Sequence, residues 1–486
     1  MLRDDVPLIA LAVLSLLWLL LLFTEGQKSY LTPLHAPIIG LVILLPLNLL
    51  ISSNTQATLP KIYGLLLSFS LFFLIIRLVQ FRKHLPLLFF SLLALSLGAA
   101  LLGLFATDWP EGGLAFISRI AQKLPRISSS FPGASINKNT MGGALTFFPP
   151  LLLSLFWDKN SFKKMLAKYL QLKKLPVWLY KALLILILAL TLLVLLLTQS
   201  RGAWLGTALG LFVFLVWKDK RFLIAIPVGL IFLFFLVSQT GDGTLPGFLS
   251  LLDQGQDASL TGRLQIWARI ISLIRDFPIT GVGLDAISTV YPVYFNPFLF
   301  SEAPAVLFHA HNTLLSVTIE MGIPALILYV ALISSFFIMT KHAWKHARTI
   351  NRVLIMGLVC GMISHQFFGI MDAFTLGKTL GVTMWIYYAV LAALFIHRDQ
   401  MIHSKPPKDN PETTLPRKAQ TRYALFGLAS WLALSFIALT FCQVNIYFSL
   451  SLSLLSGLFL GWFVTNRFIF LSPASYQLSP TTDELH

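Results

Sequence analysis

Residues 177–217 read VWLYKALLILILALTLLVLLLTQSRGAWLGTALGLFVFLVW. A helix that crosses a bilayer needs roughly 20 apolar residues, and residues 177–198 supply them. A second run, 203–217, follows the turn Thr198-Gln199-Ser200-Arg201-Gly202-Ala203. Both runs are continuously apolar. They lack the alternation of barrel strands, so helices are the only way to satisfy their backbone in lipid. Similar runs recur at about 7–23, 34–51, 62–80, 85–105, 140–157, 222–238, 313–340, 353–371, 379–396, 423–442 and 446–465. The expected fold is therefore all-α: a polytopic integral membrane protein with about 12–13 transmembrane helices and a large, partly helical outer loop.

Composition agrees. Of 486 residues, 56% are hydrophobic and 12% are charged, about half the charged share of a soluble domain. A chain this apolar neither stays soluble nor remains disordered. The net charge of +16 suggests nucleic acid only at first sight. The basic residues lie in short connections, where the positive-inside rule accounts for them, and no nucleic-acid partner is expected. Lys159 to Lys174, Lys218 to Arg221, Lys341 to Arg352 and Arg398 to Arg422 form four basic connections. Their alternation places them in the cytoplasm and turns 106–138 and about 239–312 outward. Arg77, Arg82 and Lys83 also favour the inside, which leaves the side of the N-terminus open. Residues 1–400 read as one polytopic domain, 401–422 as a Pro/Lys-rich cytoplasmic linker, and 423–486 as a C-terminal hairpin and tail. Met1 to Phe23 shows no small-residue cleavage site and reads as a first span. Cys360 and Cys442 both sit in apolar runs and form no disulfide framework.

The polar residues with chemical potential gather on the expected outer side. Arg201, between two long apolar runs, is costly unless it meets water, headgroups or a partner. It suits a bidentate grip on phosphate, or it snorkels to lipid. In Thr261-Gly262-Arg263-Leu264-Gln265-Ile266-Trp267 an amphipathic helix begins. Leu264, Trp267, Ile271 and Ile274 are expected to share its apolar face, with Arg263, Arg269 and Arg275 as cations. Pro278 ends it, before Gly281-Val282-Gly283. Asn137-Lys138-Asn139 offers amides for sugar hydrogen bonds, or simply opens a helix. In His309-Ala310-His311-Asn312, Asn312 fits a helix N-cap, and His311 is either a base near neutral pH or a structural imidazole. The H-x-H pair has no evident carboxylate or third ligand in sequence, so no metal site is expected. Asp372 and Lys378 read as a turn pair. Walker, nucleophile-elbow and H-E-x-x-H motifs are absent.

In this order, these motifs resemble the O-antigen ligase and polymerase superfamily of bacterial envelopes, over about Asn137 to Tyr388. Ser200-Arg201-Gly202-Ala203 is similar to the family's S-R-G-A hairpin, and Gly262-Arg263 with Trp267 to its G-R-x-x-x-W. Pro278, Gly281 and Gly283 resemble its P-x-x-G-x-G. His311-Asn312-x-x-Leu315 with Glu320 and Gly322 resembles H-N-x-x-L…E-x-G. Lys138 replaces a usual Pro, and Ala325 stands where a second Gly is frequent.

The resemblance implies a metal-independent glycosyltransferase, without cofactor, in the bacterial inner membrane with its site facing the periplasm. The implied donor is a glycan on undecaprenyl pyrophosphate, and the acceptor is lipid A core or another lipid or glycan. Ligase and polymerase share these motifs. Arg201 and Arg263 would stabilise the departing pyrophosphate, and His311 would take the acceptor's proton. Arg269, Asn137, Asn139 and Asn312 would help hold the donor, and the outer loop would close over it like a lid. Some relatives carry the label of bicarbonate transporters, so transport is the competing class. A purely structural scaffold leaves the Arg and His residues unexplained.

Overall fold

The computed structural model describes residues 13, 32–78, 85–109, 114–124, 136–158, 177–229, 260–295, 307–347, 350–373, 377, 381–396 and 417–471. The expected span at 7–23, most of that at 222–238, the basic segment after Trp157 and most of the 401–422 linker lie outside them.

The described chain is helical apart from one short pairing. Its helices are α1 (His35–Ile51), α2 (Thr55–Leu78), α3 (Leu85–Ala106), α4 (Ala115–Gln122), α5 (Lys138–Leu145), α6 (Phe148–Trp157), α7 (Val177–Leu197), α8 (Arg201–Lys218), α9 (Leu260–Asp276), α10 (Ile287–Tyr294), α11 (Thr313–His346), α12 (Ile350–Met371), α13 (Val382–Ile396), α14 (Arg417–Thr440) and α15 (Ile446–Leu471). Strands β1 (Thr107–Asp108) and β2 (Ile136–Asn137) pair in parallel, Thr107 opposite Ile136. Among the described residues seven helical stretches are long and apolar enough to span a bilayer, and His35–Ile51, Val382–Ile396 and Leu425–Thr440 are shorter apolar helices. The chain is thus an all-α polytopic membrane protein. Residues 138–157, expected as one span from 140, form two helices that meet at Thr146–Phe147, just before Pro149 and Pro150.

α11 is the central helix. Nearly every residue from Ser316 to Leu332 is buried, and α1, α9, α12, α13, α14 and α15 all pack on it. The C-terminal hairpin lies along it. Ser334 and Ser335 donate to the carbonyls of Leu458 and Gly461, and the Trp431 indole donates to Pro324 O. Outer helices turn apolar residues away from the protein. On α7, Trp178, Leu183, Ile185 and Leu186 are exposed, as lipid-facing residues of a span would be.

α8 and α12 pack closely because glycine recurs every four residues. A Cβ on Gly206 would sit 2.5 Å from Ser364 O, one on Gly202 3.0 Å from Met371 Cβ, and one on Gly210 would strike Ser364 Oγ. Small residues at this spacing let helix backbones approach in lipid.

The second organising feature is a knot where α11 breaks. Gly322 has φ +83°, inside an otherwise helical run. Into the break comes the segment after α9. Val282 N–H donates to Ile319 O at 2.7 Å, Gly283 N–H to Glu320 O, and Ile323 N–H to Pro278 O at 2.8 Å. Gly281 and Gly283 also have positive φ. A Cβ on Gly281 would lie 2.5 Å from the Glu320 carbonyl carbon, and one on Gly322 would strike Ile279 O. The glycines are required because two backbones cross at contact distance.

Candidate functional site

The glycine stripe of α8 sets the site's first wall. It carries Arg201, the first residue of α8, to the C-terminal end of α12, since Gly202 abuts Met371. α5 joins the same corner. A Cβ on its Gly142 would meet Ala203 Cβ at 3.0 Å and Ser200 Cβ at 3.1 Å, and one on Gly143 would strike Phe368 of α12. The β1–β2 pairing fixes where α5 begins. Asn137 caps it, accepting the Asn139 N–H at 2.8 Å, so its side-chain oxygen is already engaged. Asn139 is half-buried beside it. Lys138 lies within electrostatic range of Arg201. The N-termini of α5 and α8 thus bring two cations to one corner.

The second wall is the start of α11. Asn312 caps it, accepting the Leu315 N–H at 3.1 Å, while its amide nitrogen donates to Ile370 O at 3.1 Å. Both ends of the side chain are committed to tying α11 to α12. Asn312 is therefore a latch between helices, with one N–H and one lone pair of its amide still uncommitted by these two bonds. The latch sets His311 beside Asp372, which directly follows α12. His311 Nδ1 and Asp372 Oδ1 are 3.0 Å apart, and His309 Nε2 lies 3.3 Å from the same oxygen. Asp372 is buried, whereas the two imidazoles are roughly a quarter exposed. His311 adopts φ +49°, a left-handed conformation that is uncommon for a side chain with a Cβ. The preceding residue, Ala310, is held on both sides by Ser316 Oγ and the Trp267 indole.

Asp372 corrects two expectations. It is no mere turn residue, and it is the carboxylate the H-x-H pair lacks in sequence; together the three groups could hold a metal ion. Sequence could not reveal this, because 61 residues separate it from His311. Lys378, its expected turn partner, lies outside the described residues. Burial pushes the Asp372 pKa up, yet hydrogen bonds from His309 and His311, with their positive charge when protonated, hold it well below the usual carboxylate range. An ionised carboxylate has only acceptors. The hydrogen bond to His311 then requires a proton on Nδ1 and, in the neutral ring, leaves Nε2 with a lone pair. Asp372 Oδ1 also accepts the Ala373 N–H, whereas Oδ2 is buried with no hydrogen-bond partner.

The third wall is α9. The apolar face expected through Leu264, Trp267, Ile271 and Ile274 holds at Ile274 and in part at Trp267, but is turned by about a quarter turn at its start. Leu264 is 53% exposed, and Ile266, Ile270, Leu273 and Ile274 are buried. Both sets satisfy helical spacing, and the knot at Pro278 decides which one faces α11. Trp267 is half-buried and reaches Ala310 O with its indole at 3.0 Å. Arg263, one turn before Trp267, shares that face and is half-buried. Arg269 is drawn elsewhere, its guanidinium donating to the Tyr291 hydroxyl.

The site therefore unites Arg201, Lys138, Asn139, His311 and Asp372, with Arg263 on the helix that Trp267 pins to Ala310. Lys61, Asn48 and Asp285 escaped the sequence reading, and all support the knot. Lys61 Nζ lies 2.6 Å from Glu320 Oε1 and 3.3 Å from Asp285 Oδ1. Asn48 donates to Glu320 O and accepts from Leu284 N–H. A lone Lys within an apolar helix and a lone Glu within another were the available signal, since each is costly in lipid without the other.

Residues 186–330 match the family model described as O-Antigen ligase. A stretch of 110 residues is 29% identical to the exopolysaccharide production protein ExoQ of Rhizobium meliloti (strain 1021), covering 21% of this chain and 25% of that protein. The family match runs from within α7 through Arg201, Arg263, His311 and Glu320 to the knot at Gly322. Together the two matches support placing the chain in the O-antigen ligase and polymerase superfamily.

Proposed function

We propose that the protein transfers a glycan from a polyprenyl-pyrophosphate carrier, undecaprenyl pyrophosphate, to a hydroxyl acceptor at the outer leaflet of the bacterial inner membrane, as an O-antigen ligase. The observation that carries this is the His311–Asp372 pair, set by the Asn312 latch against the corner that holds Arg201.

The chemistry needs little else. The acceptor oxygen attacks the anomeric carbon, and the bond to the carrier's phosphate oxygen breaks. Negative charge then grows on the pyrophosphate. Arg201, Lys138 and Arg263 supply cations for it, and these interactions strengthen as the bond cleaves. His311 Nε2 accepts the acceptor's proton while Asp372 holds Nδ1–H and stabilises the imidazolium. His309 takes no part in this step. Energy resides in the donor, so no nucleotide site is required. The 401–422 segment is proposed as a linker between the 1–400 catalytic domain and the C-terminal hairpin.

A second reading, polymerisation of glycan repeats, is favoured by the match to a protein named for exopolysaccharide production. Ligase and polymerase would share the steps above and differ in the acceptor.

The test is transfer by the purified chain from its native lipid-linked glycan to lipid, glycan and protein acceptors. Wild type should transfer, and His311→Ala should fall by on the order of 10²–10⁴ while inserting and folding normally. Equal transfer by both proteins would overturn the assignment. Concentrative uptake of bicarbonate into proteoliposomes, without transfer, would favour transport.

A further inference from the structure

We propose that His309, His311 and Asp372 form a binding site for a transition-metal dication such as Zn²⁺, and that occupancy switches the site off. The switching half of this inference rests on His311 acting as the base; the binding half does not.

The mechanism above uses one imidazole, yet two converge on the carboxylate. His309 Nε2 and His311 Nδ1 lie 3.3 Å and 3.0 Å from Asp372 Oδ1, and the ring centroids are 4.3 Å apart. One ligand atom from each residue falls within a common 4.8 Å sphere of separation. Around a tetrahedral Zn²⁺ with bonds of about 2.0–2.2 Å, ligand atoms sit about 3.3 Å from one another. The three side chains are therefore close to ligand spacing before any ion arrives.

A second observation points the same way. Asp372 Oδ1 takes both imidazoles and the Ala373 N–H, while its buried Oδ2 has no partner. A buried acceptor without a donor is costly, and a cation bound through both carboxylate oxygens would satisfy it. Two imidazoles and one carboxylate suit borderline ions such as Zn²⁺ rather than Mg²⁺ or Ca²⁺, which favour all-oxygen shells. The partial exposure of both rings leaves a fourth position for water and a route of entry.

Binding would disable His311 directly. A metal on Nδ1 replaces the proton that Asp372 now accepts, and the neutral ring then carries its proton on Nε2. The lone pair that would take the acceptor's proton is gone. No bond in the substrate changes, and removing the ion restores the original tautomer.

The test uses full-length, untagged protein in nanodiscs, with ZnCl₂ as the probe. Bound zinc is measured after dialysis for wild type, His309→Gln and Asp372→Asn. Gln keeps an N–H donor for Asp372 but is a poor zinc ligand. Wild type should bind one zinc per chain, and both variants should bind at least about tenfold more weakly, with unfolding in the absence of zinc unchanged for His309→Gln. Glycan transfer by wild type should fall with zinc and return with chelator, while the fractional loss in His309→Gln should be far smaller. Equal binding by the three proteins, or none by wild type, overturns the site. Site-specific binding with zinc-insensitive transfer overturns the switch. Site-specific binding by a chain that transfers nothing overturns the glycosyltransfer reading and leaves the metal site standing.

Discussion

Replacing Lys61 by Met should destabilise this protein at the knot, and replacing Glu320 at the same time should largely restore it. Lys61 and Glu320 are 2.6 Å apart with side chains 2% and 4% exposed. Removing one member of a buried ion pair strands the other charge and costs about 3–5 kcal/mol. Asp285 would not rescue Lys61 fully, because it lies 3.3 Å away and is one-third exposed, where a pair contributes about 1 kcal/mol or less. Lys61→Met should therefore lose about 3–5 kcal/mol, and Glu320→Leu slightly less, since Lys61 keeps Asp285. The double variant has no stranded charge at the 2.6 Å contact and packs apolar groups of similar volume. It should stand within about 1–2 kcal/mol of wild type, giving a coupling well above the few tenths expected of independent sites. The assay is reversible unfolding in mixed micelles of rising SDS fraction, with the four proteins compared as a cycle. Single substitutions costing under about 1 kcal/mol, as an exposed pair would, or a double variant equal to the sum of the singles, would refute a buried, coupled pair at the knot.

Gly322→Ala forces a Cβ towards Ile279 O at φ +83°; the left-handed backbone alone costs about 1–3 kcal/mol, read in the same unfolding assay. Gly206→Leu should separate α8 from α12, where only 2.5 Å is open to a Cβ, and abolish transfer although Arg201 is intact; transfer assays on folded, monodisperse protein check this. Arg201→Ala should cut transfer by on the order of 10²–10³, and Arg201→Lys should recover only part, because a point charge lacks the guanidinium's paired donors. Asp372→Asn should lower the maximal transfer rate far more than it changes apparent donor affinity, because the carboxylate acts through His311 and does not grip the donor.

The helices were legible because the bilayer imposes a length and a continuous apolar run that few other structures share. Arg201 and His311 stood out as candidates, since ionisable groups at the ends of apolar runs need a reason to be there. Asp372 was not, because its role depends on the fold bringing residue 372 to residue 311. The stripe Gly202, Gly206 and Gly210 was visible in the sequence, yet its consequence depends on which helix it meets. The buried face of α9 was misassigned for a related reason: both Leu264 and Ile266 begin a valid helical stripe, and the choice is made by backbone hydrogen bonds at Pro278 and Val282 that periodicity does not encode.

The motifs divide into two physical roles. Gly281, Gly283, Glu320 and Gly322 touch no candidate reacting group; they let the segment after α9 thread the break in α11. Gly202 and Asn312 likewise set helices against one another. Among the described residues, Arg201, Lys138, Asn139, Arg263 and His311 are the proposed substrate contacts, and Asp372 acts through His311. This division bears on how the outer loop moves. α9 is fixed at its C-terminal end by the knot and at mid-helix by the Trp267–Ala310 bond. To swing as a lid, a helix held at its end and its middle would have to break three backbone hydrogen bonds or the indole bond. α9, and Arg263 with it, is therefore expected to stay seated on α11 during turnover. A crosslink between α9 and α11 should then leave transfer intact.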